Sequence, residues 1–237
     1  MHLSDFTTLS FDCYGTLIDW ESGMIDGLAS LTAQLEPQLS RNDILQAHAQ
    51  FESAQQAQTP GRLYRDLLPI VYKRLAEHWG LTATWGDCVA YGESVKYWPA
   101  FSDSADSLQY LKKHFKLVVL SNVDNLSFAA SNEKLGVEFD AIYTAEDVGA
   151  YKPSDKNFDY MIRSLLSLNV EPGHILHTAE SLFHDHVPAK RFGISRAWIY
   201  RRHDQPGYGA TMNPGEIPAV DFQFNSMADL VRAHRGS

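Results

Sequence analysis

The sequence predicts an α/β fold, a doubly wound parallel sheet with a helical domain inserted into it. Three observations carry this. Short apolar runs rich in β-branched and aromatic residues alternate with longer amphipathic stretches, the pattern of a parallel sheet covered on both faces. Residues from about Leu17 to Trp98 break the alternation and read as helix after helix. Polar residues stand at or just past the ends of several strands, where such sheets place their chemistry.

The first strand is Leu9–Phe11, ending in Ser10-Phe11-Asp12-Cys13-Tyr14-Gly15-Thr16-Leu17. A buried run that stops on a carboxylate and turns at once on glycine needs a reason. Four helical stretches follow, Gly23–Leu35, Asn42–Gln56, Arg62–Trp79 and Trp85–Lys96, punctuated by Pro37, Thr59-Pro60-Gly61 and Gly80. An insertion placed just after the Asp12 strand would sit over Asp12 as a lid. The alternation then resumes. Strands are predicted at Leu117–Leu120, Ala141–Thr144, Ile175–Thr178, Ala197–Tyr200 and Phe222–Phe224. Helices are predicted at Asp103–Lys113, Asn125–Leu135, Asp155–Leu168 and His184–Phe192. The Gly/Pro-rich stretch Gly207–Pro218 reads as a surface loop. The expected division is a Rossmann-like core of residues 1–16 and 99–237, with a helical cap of residues 17–98.

At 237 residues, 44% of them hydrophobic, the chain can bury a sizeable core. A net charge of −9 disfavours nucleic acid and anionic membrane surfaces as partners. Two cysteines, Cys13 and Cys88, imply no disulfide framework. With no signal segment and no run of the ~20 apolar residues that a spanning helix needs, a cytoplasmic location is expected.

Asp12 leads the candidate site. A carboxylate at a strand end, with Gly15 letting the chain turn close to it, suits nucleophilic attack on a substrate held above. Taken alone, a turn or helix cap explains it equally well. Ser121 and Asn122 place a hydroxyl and an amide at the next strand end, where a cap is the plainer reading. Lys152 precedes a proline, which biases it to an extended conformation; a surface lysine is the alternative. Glu180 and Asp185 lie on a loop entering a helix, where acidic residues also serve as caps.

Taken in order, Asp-x-Tyr-Gly-Thr, Ser-Asn, Lys-Pro and the acidic loop resemble the four motifs of the haloacid dehalogenase superfamily, and the helical insertion resembles its cap. Phosphatase members carry a second aspartate two residues after the nucleophile. Here that position is Tyr14, as in the 2-haloacid dehalogenase branch, and a tyrosine with a pKa near 10 is a poor proton shuttle at neutral pH. The stretches Asp12–Trp20, Ser94–Phe101, His177–Pro188 and Ala197–His203 look most like L-azetidine-2-carboxylate hydrolases, an offshoot of that branch.

The resemblance implies that Asp12 attacks C2 of a small carboxylic acid, opening the ring of L-azetidine-2-carboxylate to 2-hydroxy-4-aminobutanoate through an aspartyl ester. It implies that Lys152 pairs with Asp12 and that Asp185 orients Lys152 or the water, with His184 a weaker candidate. Ser121 and Asn122 would bind the substrate carboxylate. Cys13 and Tyr14 would offer backbone amides to an oxyanion. Glu180 or Asp19, with Trp20 or Trp98, would hold the ring cation. An (S)-2-haloacid dehalogenase using the same nucleophile is the first alternative, and a Mg²⁺-dependent phosphatase the second. Asp12, Glu180 and Asp185 could hold Mg²⁺, but ring opening needs no phosphate bridged, so no required cofactor is expected. His177, His184 and His186 lack a thiolate partner for zinc. The expected partner is a small-molecule carboxylate substrate; a homodimer is left open.

Overall fold

The computed structural model describes residues 1–236. Six parallel strands form one sheet: β1 Thr8–Phe11, β2 Lys116–Ser121, β3 Ala141–Thr144, β4 Ile175–Ala179, β5 Ser195–Ile199 and β6 Phe222–Phe224. Their order is β3-β2-β1-β4-β5-β6. The central strands β1, β2 and β4 are almost wholly buried, as expected of a parallel sheet covered on both faces, and they bury polar Thr8, Ser10, His177 and Thr178 beside their apolar residues. Strand order reverses between β1 and β4, with Phe11 paired to Thr178. A doubly wound sheet opens a crevice beyond the strand ends at such a switch point.

Four helices follow β1 before the chain returns to the sheet: α1 Trp20–Thr32, α2 Arg41–Gln58, α3 Tyr64–His78 and α4 Trp85–Glu93. Ser40 begins α2 with a capping box, its hydroxyl accepting from the Asp43 amide and the Asp43 carboxylate accepting in return. The two connections to the sheet run side by side. The Asp19 amide donates to Pro99 O at 2.8 Å and the Phe101 amide to Leu17 O at 3.0 Å.

The remaining helices are α5 Ser104–Leu111, α6 Asn125–Leu135, α7 Ala145–Val148, α8 Asp155–Ser167, α9 Val187–Arg191 and α10 Met227–Arg235. Three differences from the sequence reading stand out. The helix expected from His184 to Phe192 is a π-helical turn, Leu182–His186, running into the short α9. The short α7 and the terminal α10 were not anticipated. α10 follows an edge strand with no glycine or proline to announce it, and it buries Met227, Leu230 and Val231. No helix among the described residues is long and apolar enough to cross a membrane.

Candidate active site

β1 delivers Asp12 to the crevice. After it the chain must reverse tightly, and Gly15 does so at φ +97°, a region that favours glycine. The turn carries Thr16 back under Asp12, where its hydroxyl donates to Asp12 Oδ2 at 2.8 Å. The same Thr16 oxygen accepts from the Glu180 amide at 2.9 Å, so one hydroxyl ties the end of β1 to the end of β4.

Lys152 lies buried between two carboxylates. Its Nζ donates to Asp12 Oδ1 at 2.9 Å, to Asp185 Oδ1 at 2.7 Å and to Leu120 O at 2.8 Å. All three ammonium donors are therefore used. Asn122 fixes the lysine backbone from both sides: its Oδ1 accepts from Lys152 N at 2.6 Å and its Nδ2 donates to Lys152 O at 3.1 Å. His177 Nε2 donates to Asp185 Oδ1 at 2.9 Å, and its Nδ1 lies 2.9 Å from Ser10 Oγ. Asp185 Oδ2 is buried without a partner.

One cation serving two buried carboxylates divides them electrostatically. Burial pushes Asp12 up, Lys152 and Thr16 pull it down, and Asp185 adds to the rise; the net direction is up. Burial also disfavours charged Asp185, but Lys152 and His177 overcome it and hold this carboxyl well below the usual range. For Lys152 burial works against the ammonium, and the two carboxylates more than restore it.

A small cavity of about 30 Å³, room for one or two waters, opens on Asp12, Lys152 and Asp185. Tyr14, Trp20, Asn122 and His184, all expected in the site, line it as well. Burial pushes the Tyr14 phenol well above its ordinary value. Its hydroxyl donates toward Ser127 O and lies 2.7 Å from Ser131 Oγ, so it is a packed wall rather than a proton shuttle. Burial drives His184 down to about 4, leaving a neutral ring at physiological pH.

Other expected residues fall elsewhere. Trp98 does not line the cavity. It is buried behind Tyr14, edge-on at 5.8 Å between ring centroids, with Gly23 of α1 against its ring, and so offers no face to a substrate cation. Asp19 caps α1, accepting from Ser22 N at 3.1 Å. Asp19 and Glu180 line a second cavity of about 230 Å³, which shares only Trp20 with the first. Burial, with Glu21 and Asp12 nearby, pushes Glu180 up to about 8 against the pull of Arg202. Cys13 is fully buried, and burial together with Asp12 raises its thiol, so it is no nucleophile. Ser121 Oγ is buried at the end of β2 without a partner.

Several lining residues were not found from sequence: Glu52 and Gln56 of α2, Tyr64 of α3, Ser181 and Thr211. Ser181, beside the acidic motif, was within reach of motif reading. The others come from segments remote in sequence that only tertiary packing brings to Asp12.

A magnesium ion would need several carboxylate oxygens facing one point. Here Lys152 stands between Asp12 and Asp185, and Glu180 opens on the other cavity. Among the described residues no three His, Cys, Asp or Glu side chains converge as a ligand set. These residues do not fit a resident magnesium ion.

A family model for haloacid dehalogenase-like hydrolases matches residues 6–178. No curated protein sequence matches. Solved structures similar in fold include an L-2-haloacid dehalogenase at 22% identity, covering 98% of this chain and 100% of that one with a TM-score of 0.77. The L-2-haloacid dehalogenase from Xanthobacter autotrophicus with chloropropionic acid covalently bound aligns at 20% identity, 98% and 99% coverage and a TM-score of 0.77. A putative HAD-hydrolase from Bacillus subtilis bound to magnesium aligns at 18% identity, 97% and 99% coverage and a TM-score of 0.75.

Proposed function

The chain belongs to the haloacid dehalogenase-like hydrolase family, and from that premise we propose that it opens the ring of L-azetidine-2-carboxylate, with Asp12 as nucleophile. The observation that carries the reading is the Asp12–Lys152–Asp185 arrangement under the cavity, with Tyr14 rather than an aspartate two residues after Asp12. Phosphoryl transfer wants a proton shuttle two residues from the nucleophile and a metal beside it, and this site has the residues for neither. Attack on carbon needs an oriented carboxylate and a route for hydrolysis of the resulting ester.

The chemistry balances with the chain's own groups. An Asp12 oxygen attacks C2 from the side opposite the ring nitrogen. The C2–N bond breaks and its electron pair leaves on nitrogen. Because the ring nitrogen enters protonated, it departs as a neutral amine and needs no strong acid. Ring strain is released, and Asp12 is left as an ester of a 4-amino-2-hydroxy acid. Water then attacks the Asp12 carbonyl. Lys152, already 2.9 Å from Oδ1, stabilises the charge on that oxygen. Ester cleavage frees 2-hydroxy-4-aminobutanoate with C2 inverted and restores Asp12. Helices α1–α4 serve as the cap that excludes bulk water.

Proton NMR of EDTA-treated protein with L-azetidine-2-carboxylate tests this. Appearance of 2-hydroxy-4-aminobutanoate, absent with Asp12→Asn, supports the reading; an unchanged spectrum rejects that substrate, and full activity in Asp12→Asn rejects the nucleophile. A second reading, (S)-2-haloacid dehalogenation by the same aspartate, draws on the fold shared with those enzymes over 98% of the chain. Chloride release from 2-chloropropanoate would favour it.

A further inference from the structure

We propose that Glu52 selects the substrate by charge: its carboxylate, carried by α2 into the Asp12 cavity, takes the cationic nitrogen of an amino acid and repels acids that lack one. The inference rests on the reading that Asp12 attacks carbon beside a carboxylate, and it names the class of acid attacked.

The inward face of α2 is unlike an ordinary packing face. Beside Ile44, Leu45 and Ala49 it buries His48, Glu52, Gln55 and Gln56. A buried carboxylate is disfavoured unless it is paired. Glu52 Oε1 accepts from Gln56 Nε2 at 3.1 Å, and Tyr64 lines the same cavity. The amide orients the carboxylate without supplying a counter-ion. No lysine or arginine among the described residues pairs with it; its one ion-pair contact is His48 Nδ1, 3.5 Å from Oε2.

The charge balance of the cavity points the same way. Its walls hold three carboxylates, Asp12, Glu52 and Asp185, and one ammonium, Lys152. Lys152 is committed to Asp12 and Asp185. Glu52 is thus the carboxylate left without a full counter-ion, and Trp20 and Tyr64 add aromatic faces that favour a cation. A 2-haloacid would bring a second anion and release a third beside it. A protonated cyclic amino acid brings the charge that the site lacks, and discrimination comes as much from repelling the wrong acid as from binding the right one. Glu180, which opens on the second cavity beside Arg202, does not supply this contact.

The test uses a ring pair differing only in the charged nitrogen, L-azetidine-2-carboxylate and cyclobutanecarboxylate, bound to the intact Asp12→Asn protein and followed by calorimetry. The azetidine should bind at least about a hundredfold tighter, since a site built around a polar group rejects the analogue lacking it strongly. Adding Glu52→Gln should abolish that preference with little change in melting temperature. Equal or absent binding of the two rings in Asp12→Asn overturns the proposal without any change at Glu52, so a misfolded Glu52→Gln cannot shelter it. A preference that survives Glu52→Gln, or that is lost in Glu180→Gln instead, overturns it as well. Failure of the reaction reading looks different: the wild-type protein leaves the azetidine intact by NMR, while the preference and its dependence on Glu52 stand.

Discussion

Thr16 illustrates how much one hydroxyl can do beside a buried carboxylate. Asp12 is pushed up by burial and by Asp185 and pulled down by Lys152 and Thr16. Only its anion attacks carbon. The value of kcat/KM should therefore rise with pH as Asp12 ionises, with its acid limb above the ordinary aspartate value of 3.8. Thr16→Val removes a 2.8 Å hydrogen bond from Asp12 Oδ2. That bond favours the charged form, so its loss must move the acid limb to higher pH. A hydrogen bond to a charged group contributes roughly 1.5–3 kcal/mol, so kcat/KM on the acid limb should fall about tenfold or more. A pH–rate profile checks this; an acid limb that stays put or moves down would show that Thr16 does not act on Asp12. Asp185 runs the other way. Its folded-state pKa is depressed, so the stability it contributes is present above the unfolded value of 3.8 and is lost as pH falls through the folded one.

At the scale of elements, the turn after β1 and the start of α1 form one unit. A Cβ on Gly15 would come 2.9 Å from Trp20 Nε1, and the backbone there lies at φ +97°. Gly15→Ala therefore both strains the turn and pushes Trp20, which walls both cavities. A residue forced into a sparsely populated backbone region costs about 1–3 kcal/mol. The variant should melt lower and bind substrate more weakly, since Trp20 moves off its place above Asp12; KM and a melting curve check this, and an unchanged KM would mean that Trp20 takes no part in binding.

This turn also shows what sequence alone can convey. Asp12 was readable because it stands at the end of a parallel strand, where local signals fix both element and direction; Lys152, beyond α7, and Asp185, inside the π-helical turn, were legible only through the order of the motifs. The strands of the sheet were legible as short stretches rich in β-branched and aromatic residues, clearest in the buried Leu117–Leu120 of β2. Glu52, Gln56 and Tyr64 gave no such signal. They sit inside ordinary helices or at their first residue, and what turns them toward Asp12 is the docking of α2 and α3 over the sheet. Trp98 was misplaced because an aromatic residue near a motif does not say which way its ring faces; here α1 packs against it. Glu180 opens on the second cavity although it lies five residues before Asp185, because closeness in sequence does not set which way a side chain faces across a π-helical turn.

At the scale of the molecule, the question is how a substrate reaches Asp12. The cavity of about 30 Å³ is tight for a ring with a carboxylate, and movement of α1–α4 away from the sheet would admit it. The contacts that must break include packing of Trp98 on Tyr14, the buried Arg202–Glu21 ion pair and several hydrogen bonds. The Arg65 backbone amide and Nη1 each donate to Asp124 at 2.9 Å. Tyr151 donates its hydroxyl to Arg62 O. Lys134 reaches from α6 to Lys96 O and Trp98 O at the end of the inserted segment, close to the connection about which movement would turn. Of these, the Arg65 side chain can be removed most cleanly. Asp124 would keep its role as cap of α6, accepting from Ser127 N at 3.0 Å, so the fold under it is held. Arg65 is partly exposed, and an ion pair of that kind contributes about 1 kcal/mol or less. Arg65→Met should therefore shift the balance toward the open form by about fivefold or less. Because the closed form is the one that surrounds substrate, KM should rise by about that factor. Where opening limits product release, kcat should rise with it, as expected of lid motions that set turnover. Steady-state kinetics on the variant, with circular dichroism to establish that the fold is intact, checks both. A KM that does not change would mean that closure is held by the apolar packing of α1 and α3 rather than by this latch.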